Sequence, residues 1–370
     1  MKVRINAIDI VRGLIMIIMT LDHTRDFLDP GTAPTNMQTT TVLLFFTRWI
    51  THFCAPTFVF LAGVSTVLAG QHRSVREMRS FLLKRALWLV LSDILFIGFI
   101  FTFDPGYHIV IIEVLSVTGM GMALLALLLR VPVPVIAVTA GVIIAGHPYV
   151  SIPFLTNAVT VLPLGAGRSI FEFYAILPWA ALVLLGYVFG HLYKAAYPAE
   201  KRQKLLIVSG SLACLLFIAL RLFNHFGDPA PWIMQRNAAQ TLLSFLNLTK
   251  QAPSPLFDLM TLGPVLLFLA FAEKLNGRFA DFCRVYGNVP YFYFIAHLVV
   301  LRVFNLVFIT LSGLPFRSDG NPLVWQAEGF GIPLRGVYPM WLAVVLVLYF
   351  PCKWFGEYKR TSGKWWLSYL

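Results

Sequence analysis

Apolar residues run through this chain in stretches of about twenty, separated by short polar segments. A helix needs roughly 20 mainly apolar residues to cross a bilayer. On that measure about ten spans are predicted, over 8–28, 41–70, 84–103, 109–129, 131–147, 173–193, 205–224, 255–273, 287–312 and 336–356. Only Arg130 and the Val131-Pro132 pair part the fourth from the fifth. Residues 148–172 and 225–254 are rich in Gly, Pro and Asn, which suits short re-entrant or surface helices, and 313–335 reads as an external loop. No low-complexity run, soluble domain or internal repeat interrupts the pattern. The expected fold class is therefore all-α, a polytopic membrane protein whose single domain spans 1–370.

Composition points the same way. The 370 residues are 58% hydrophobic and 12% charged, with mean hydropathy +0.76. A soluble domain is about 25% charged, so too few polar side chains are present to cover a water-facing surface. The first apolar run holds Arg12, Asp22 and His23 and has no small-residue cleavage site, so it reads as a retained span rather than a signal peptide. Cys54, Cys214, Cys283 and Cys352 are scattered without paired spacing and read as small buried hydrophobes; neither a disulfide nor a metal site is expected.

The net charge of +12 would suit nucleic acid if it were clustered, but its placement follows the loops. Most of the 29 Lys and Arg residues fall on alternate loops, beginning with Lys2, Arg4 and Arg12, then Arg73, Arg76, Arg79, Lys84 and Arg85. The set continues through Arg130, Lys194 to Lys204, Lys274 to Arg284, and Lys353 to Lys364. The positive-inside rule then puts both termini in the cytoplasm, and no nucleic-acid partner is expected.

A charge at membrane depth costs about 2.5–3.5 kcal/mol on insertion scales, so each one asks for a partner or a task. The first span, IDIVRGLIMIIMTLDHTRDFLD, carries several. Arg12 and His23 are eleven positions apart, which returns to within about 20° of one helix face at about 16 Å along the axis. Asp9 lies one turn before Arg12 and can pair with it. Asp22 and Asp26 flank His23, and either can fix its tautomer and raise its basicity. The plainer reading is a snorkelling Arg at one end and a solvated cap at the other.

Other polar groups sit in later spans. His52 precedes Pro56 by about a turn, where a kink would free backbone groups, and a structural hydrogen bond is its plainer role. Asp93 reads as one half of a structural ion pair, and Glu113 is open. His297 lies within GNVPYFYFIAHLVVLRV, and Lys250 within SFLNLTKQAPSPL, where a loop cation near headgroups is the bland alternative. A His base at one end of a stripe and a cation at the other suit an anionic donor received on one face and an acceptor at the other.

These residues carry a family likeness. RxxAxDIVRGLxMIIMxLDH over residues 4–23, followed by TRWITHFCAPTFVFLAG, resembles the catalytic domain of heparan-α-glucosaminide N-acetyltransferase and its bacterial relatives. GNVPYFYFIAH is similar to the family's histidine-bearing late helix, and FEFYAILPWAALVLLGYVFG and FLNLTKQAPSP look like further segments of the bacterial relatives. The Arg-x10-His spacing from Arg12 to His23 also resembles the motif of the wider transmembrane acyltransferase superfamily. The likeness implies a multi-pass enzyme of the bacterial inner membrane. It would move an acetyl or other acyl group from cytoplasmic acyl-CoA, most simply acetyl-CoA, to an amine or hydroxyl of an extracytoplasmic sugar or glycan. By the same likeness Arg12 contacts the CoA side, His23 is the base and His297 matches the late-helix histidine; Asp22 and His52 complete the candidate catalytic set. Arg12, Arg73, Arg76 and Lys250 are the candidate cations for the CoA side. The sequence departs from the lysosomal member, which has Asn where His23 stands and Asp where His52 stands, and its large luminal domain is missing here. The rival reading is a proton-coupled transporter or lipid flippase using the same polar stripe; a structural membrane protein would need no deep histidines. Acceptor, acyl chain, N- or O-transfer, direct transfer or an acyl-histidine intermediate, which histidine is the base, and the choice between monomer and homodimer stay open.

Overall fold

The computed structural model describes residues 5–29, 33–314 and 330–368. Lys2, Arg4 and most of the loop expected over 313–335 lie outside the described residues. The chain is built mainly of helices. In order they are α1 (Asn6–Leu28), α2 (Val42–Thr51), α3 (Cys54–Gly70), α4 (Val75–Ser92), α5 (Gly98–Thr102), α6 (Val114–Leu128) and α7 (Val133–Gly146). There follow α8 (Ile176–Gly190), α9 (Ala199–Phe223), α10 (Ala238–Leu246), α11 (Pro255–Ala272), α12 (Arg278–Gly287), α13 (Pro290–Leu311) and α14 (Leu334–Thr361).

Among the described residues, seven helical stretches are long and apolar enough to cross a membrane: Val42–Gly70, Val75–Thr102, Ile176–Tyr193, Ala199–Phe223, Pro255–Ala272, Pro290–Leu311 and Leu334–Thr361. The fourth and fifth expected spans are shorter helices, α6 and α7. α1 has the length but carries Asp9, Arg12, Asp22, Arg25 and Asp26. It can hold them because it is wrapped by α3, α11, α12, α13 and α14 rather than turned toward lipid. The outward faces of α9 and α14 carry Leu212, Leu215, Leu346 and Phe350 exposed, as a lipid-facing surface requires.

Backbones approach closely where glycine allows it. A Cβ on Gly13 would stand 1.8 Å from the Cys283 carbonyl oxygen, and one on Gly287 1.9 Å from that of Asp9. Small residues drive helix association where no water-derived hydrophobic force acts, and here they press α12 onto the Arg12 end of α1. Gly63 and Gly186 do the same for α3 on α8.

The all-α expectation needs one correction. Residues 109–112 form a strand, β1 (Ile109–Ile112), and 148–172, expected as short helices, contain a hairpin of β2 (Thr160–Gly165) and β3 (Arg168–Glu172). The order is β1-β3-β2, with β1 parallel and β2 antiparallel to β3. The reason is local. Ile-Val-Ile-Ile is β-branched throughout, and Gly165-Ala166-Gly167 all take positive φ to turn the hairpin. The sheet stops with Ile112 opposite Glu172, which delivers Glu113, Phe173 and Tyr174 together to one cavity.

Two further elements shape that region. Pro56 has no N–H for the His52 carbonyl, and the helix breaks there: α2 ends at Thr51 and α3 restarts at Cys54. Asp93, expected in an ion pair, instead accepts the backbone N–H groups of Glu113 (2.7 Å) and Ser116 (2.9 Å). It sits on a π-turn, Asp93–Ile97, and caps the start of α6 from a neighbouring element. A carboxylate at a helix N-terminus needs no cation, and none pairs with it among the described residues.

Candidate active site

Two cavities open along α1. The first lies at its Arg12 end and is bounded by α1, α3, α4, α6 and the start of α13. Arg12 donates to Ser65 Oγ at 2.7 Å and to the Gly287 carbonyl at 3.3 Å, and pairs with Asp9 at 3.5 Å. Arg73, Arg85 and Lys359 join it on the wall, making the cavity strongly cationic. The Arg73 guanidinium lies over the Phe81 ring, 4.5 Å from its centroid. An adjoining depression shares Arg73 and adds Arg76, Lys84 and Trp365. Of the four cations expected on the donor side, the fold thus gathers Arg12, Arg73 and Arg76. Lys250 is not with them.

The second cavity lies at the other end of α1 and is lined by His23, Asp22, Asp26, Arg48, Glu113, Tyr174 and Lys250 among others. Asp22 is buried and bound by Arg25 at 2.9 Å, by Arg48, and by Lys250 at 4.0 Å. Asp26 pairs with Arg25. Buried charges persist when opposite charge is close at hand, and each cation of this cluster has a carboxylate within 4.0 Å. Lys250 rides on a segment fixed from three sides. The Gln251 carbonyl accepts from Trp179 Nε1 at 2.8 Å, the Pro253 carbonyl accepts from His147 Nε2 at 3.0 Å, and Asp228 accepts the Thr249 N–H at 2.9 Å. Burial, then the neighbouring Arg48 guanidinium, pushes the Lys250 ammonium down to about 8.

His23 is not oriented by Asp22 or Asp26, whose oxygens face the arginines. Its Nδ1 lies 2.7 Å from His297 Nε2, with the two rings 10° from coplanar and 5.0 Å between centroids. His297 Nδ1 lies 2.8 Å from the Tyr293 carbonyl, one turn back on α13. A carbonyl only accepts, so His297 Nδ1 carries the proton and its Nε2 is bare. His23 Nδ1 must then donate to it, which leaves the lone pair of His23 on Nε2. His297 is fully buried, whereas His23 is half-exposed to the cavity. No hydrogen bond among the described residues occupies His23 Nε2. The chain of tautomers leaves Nε2 of His23, a residue lining the cavity, without a proton, held by a neutral histidine instead of a carboxylate.

His52 lines neither cavity. It is buried with its ring 5.5 Å from that of Phe257, and its Nδ1 has no hydrogen-bond partner among the described residues. Sequence reasoning missed Arg48, Tyr174, Phe58 and Phe294. Arg48 alone carried a signal, a cation one turn before His52 in an apolar helix. Among the described residues no group of three or more His, Cys, Asp or Glu side chains is arranged to hold a metal ion.

The helical fold thus carries a cationic cavity at one end of the polar helix α1 and a second cavity, lined by His23, at the other. The family profile described as heparan-alpha-glucosaminide N-acetyltransferase, catalytic, matches residues 4–220, more than half the chain, and the protein belongs to that family. The matched stretch includes Arg12, His23, His52, Arg73 and Arg76; Lys250 and His297 lie beyond it. No curated protein matches the chain.

Proposed function

We propose that this protein transfers an acyl group, acetyl in the simplest case, from acyl-CoA bound at the Arg12 cavity to an amine or hydroxyl presented in the His23 cavity. The observation that carries the reading is the bare Nε2 of His23, held through His297 and opening on a cavity distinct from the cationic one. Arg12, Arg73 and Arg76 supply guanidinium groups for the CoA phosphates, which match their bidentate geometry. His23 Nε2 removes the proton from the acceptor as its nitrogen or oxygen attacks the thioester carbonyl. The carbon–sulfur bond then breaks, and the proton on His23 passes to the departing CoA sulfur, returning the base to its starting state. Lys250 and Arg48 face the same space and favour negative charge developing on the carbonyl oxygen.

The family's printed name supports a sugar amine as acceptor, and a hydroxyl of a glycan is served by the same base. Ten crossings, counting α1, α6 and α7, with both termini cytoplasmic, would place the basic loops and the Arg12 cavity on the side where CoA is made. In a bacterium that membrane is the inner one. Purified protein should release free CoA thiol from acetyl-CoA only when an amino or hydroxyl sugar is added. Absence of acceptor-dependent release across both acceptor types would remove this reading.

A further inference from the structure

Among the described residues the two cavities share a single lining residue, Phe58. α3 presents one face to both: Ala55 opens on the His23 cavity, and Ala62, Ser65 and Ala69 open on the Arg12 cavity. Positions 55, 58, 62, 65 and 69 recur at helical spacing and form one stripe. Phe58 is the one large side chain in a groove of small ones. Neighbouring helices are continuous past the same level: α6 gives Val114 to one cavity and Thr118 to the other, and α13 gives Phe294 and Tyr291.

Phe58 closes the groove by stacking on Phe294, with centroids 6.3 Å apart and planes 22° from parallel. Phe294 is itself fixed. It is buried, and its edge packs on His23 at 6.3 Å and on His297 at 5.7 Å. Phe58 is only half-buried and lines both cavities. One ring is therefore a fixed jamb, and the other has room to turn.

We propose that Phe58 is the septum between donor and acceptor cavities and the residue that sets acyl-chain length. This inference rests on the acyltransfer reading. A donor held by its phosphates at Arg12 and Arg73 must pass its thioester across the level of Phe58 to meet an acceptor at His23. The space freed as that ring turns limits the length of chain attached to the thioester carbonyl. A two-carbon acyl group clears it, and each added methylene meets Phe294 or the His23 ring. Discrimination by one methylene in an apolar pocket is typically about 10–200-fold, so a smaller residue at 58 should relax it by at least that scale.

Two arms test this. In the first, kcat/KM for butyryl-CoA relative to acetyl-CoA is measured for the native protein, F58L and F58A. The ratio should rise about tenfold or more in F58A, with F58L between. An unchanged ratio overturns the specificity role. In the second, A55C is placed in a cysteine-free background and treated with a charged, membrane-impermeant thiol reagent in vesicles of both orientations. With Phe58 present, labelling should occur from one face only; with F58A added, from both. Labelling from both faces with Phe58 intact, or from one face in F58A, overturns the septum. The second arm needs no turnover. One-face labelling in a protein that transfers no acyl group would therefore leave the septum standing and reject the acyltransfer reading.

Discussion

His23 Nδ1 stands 2.7 Å from His297 Nε2, and the Tyr293 carbonyl behind His297 fixes the direction of both protons. The pair lies 274 positions apart in sequence and joins α1 to α13. General base catalysis contributes typically 10²–10⁴-fold. H297A should therefore lower kcat by about 10²-fold or more, because His23 loses the acceptor that holds its tautomer. KM for acyl-CoA should change little, since the Arg12 cavity is untouched. A fall in kcat below threefold in H297A would contradict the relay.

Asp22 pairs with Arg25, Arg48 and Lys250 and makes no hydrogen bond to His23 among the described residues. Removing one member of a buried ion pair costs about 3–5 kcal/mol. D22N should lower the melting temperature in detergent clearly, whereas D26N should do so less, because the Asp26 side chain is far more exposed. Equal effects of the two substitutions would show that burial of the cluster is not what makes it costly to break.

Lys250 is expected to give the activity a pH dependence. With its ammonium lowered from 10.5 to about 8, it is charged at pH 7 and loses that charge as pH rises through 8. Activity that uses the charge should fall over that range, and K250R should carry the alkaline limb upward. The stability sign is opposite. Between about pH 8 and 10.5 the unfolded chain binds the proton more than the native one, so stability rises with pH in that window. An alkaline limb that stays put in K250R would assign it to another group.

Arg73 carries the donor-side expectation. R73A should raise KM for acyl-CoA about tenfold, the scale of one charge-assisted hydrogen bond, with a smaller effect for R76A on the more open depression. Binding of CoA measured by thermal shift reads this without turnover. If R73A binds CoA as the native protein does, the phosphates lie elsewhere.

Much of the site was legible in the chain because charge in an apolar run is conspicuous. Arg12, Asp22 and His23 stood out in the first span, and the Asp9–Arg12 pair follows from their one-turn spacing. The helix break near His52 follows from Pro56. Each feature that stayed hidden has a physical reason. Ile-Val-Ile-Ile is apolar whether it continues a span or pairs in a sheet, and its strand partner lies about sixty positions on. Asp93 found backbone N–H groups where a cation was expected, because α6 begins beside it. Lys250 reached the His23 cavity through a loop that Trp179, His147 and Asp228 fold inward. Phe58 is one of 32 phenylalanines, and nothing but the two cavities distinguishes it.

The role of His23 as the base of an acyl-CoA-dependent transfer is tested most directly by one measurement. Sugar-dependent release of CoA thiol from acetyl-CoA is compared between the native protein and H23A, with CoA binding followed in parallel by thermal shift. Release should fall at least about 10²-fold in H23A, the scale of general base catalysis, while the CoA-induced shift persists. An H23A protein that binds CoA and still transfers at the native rate would contradict that role.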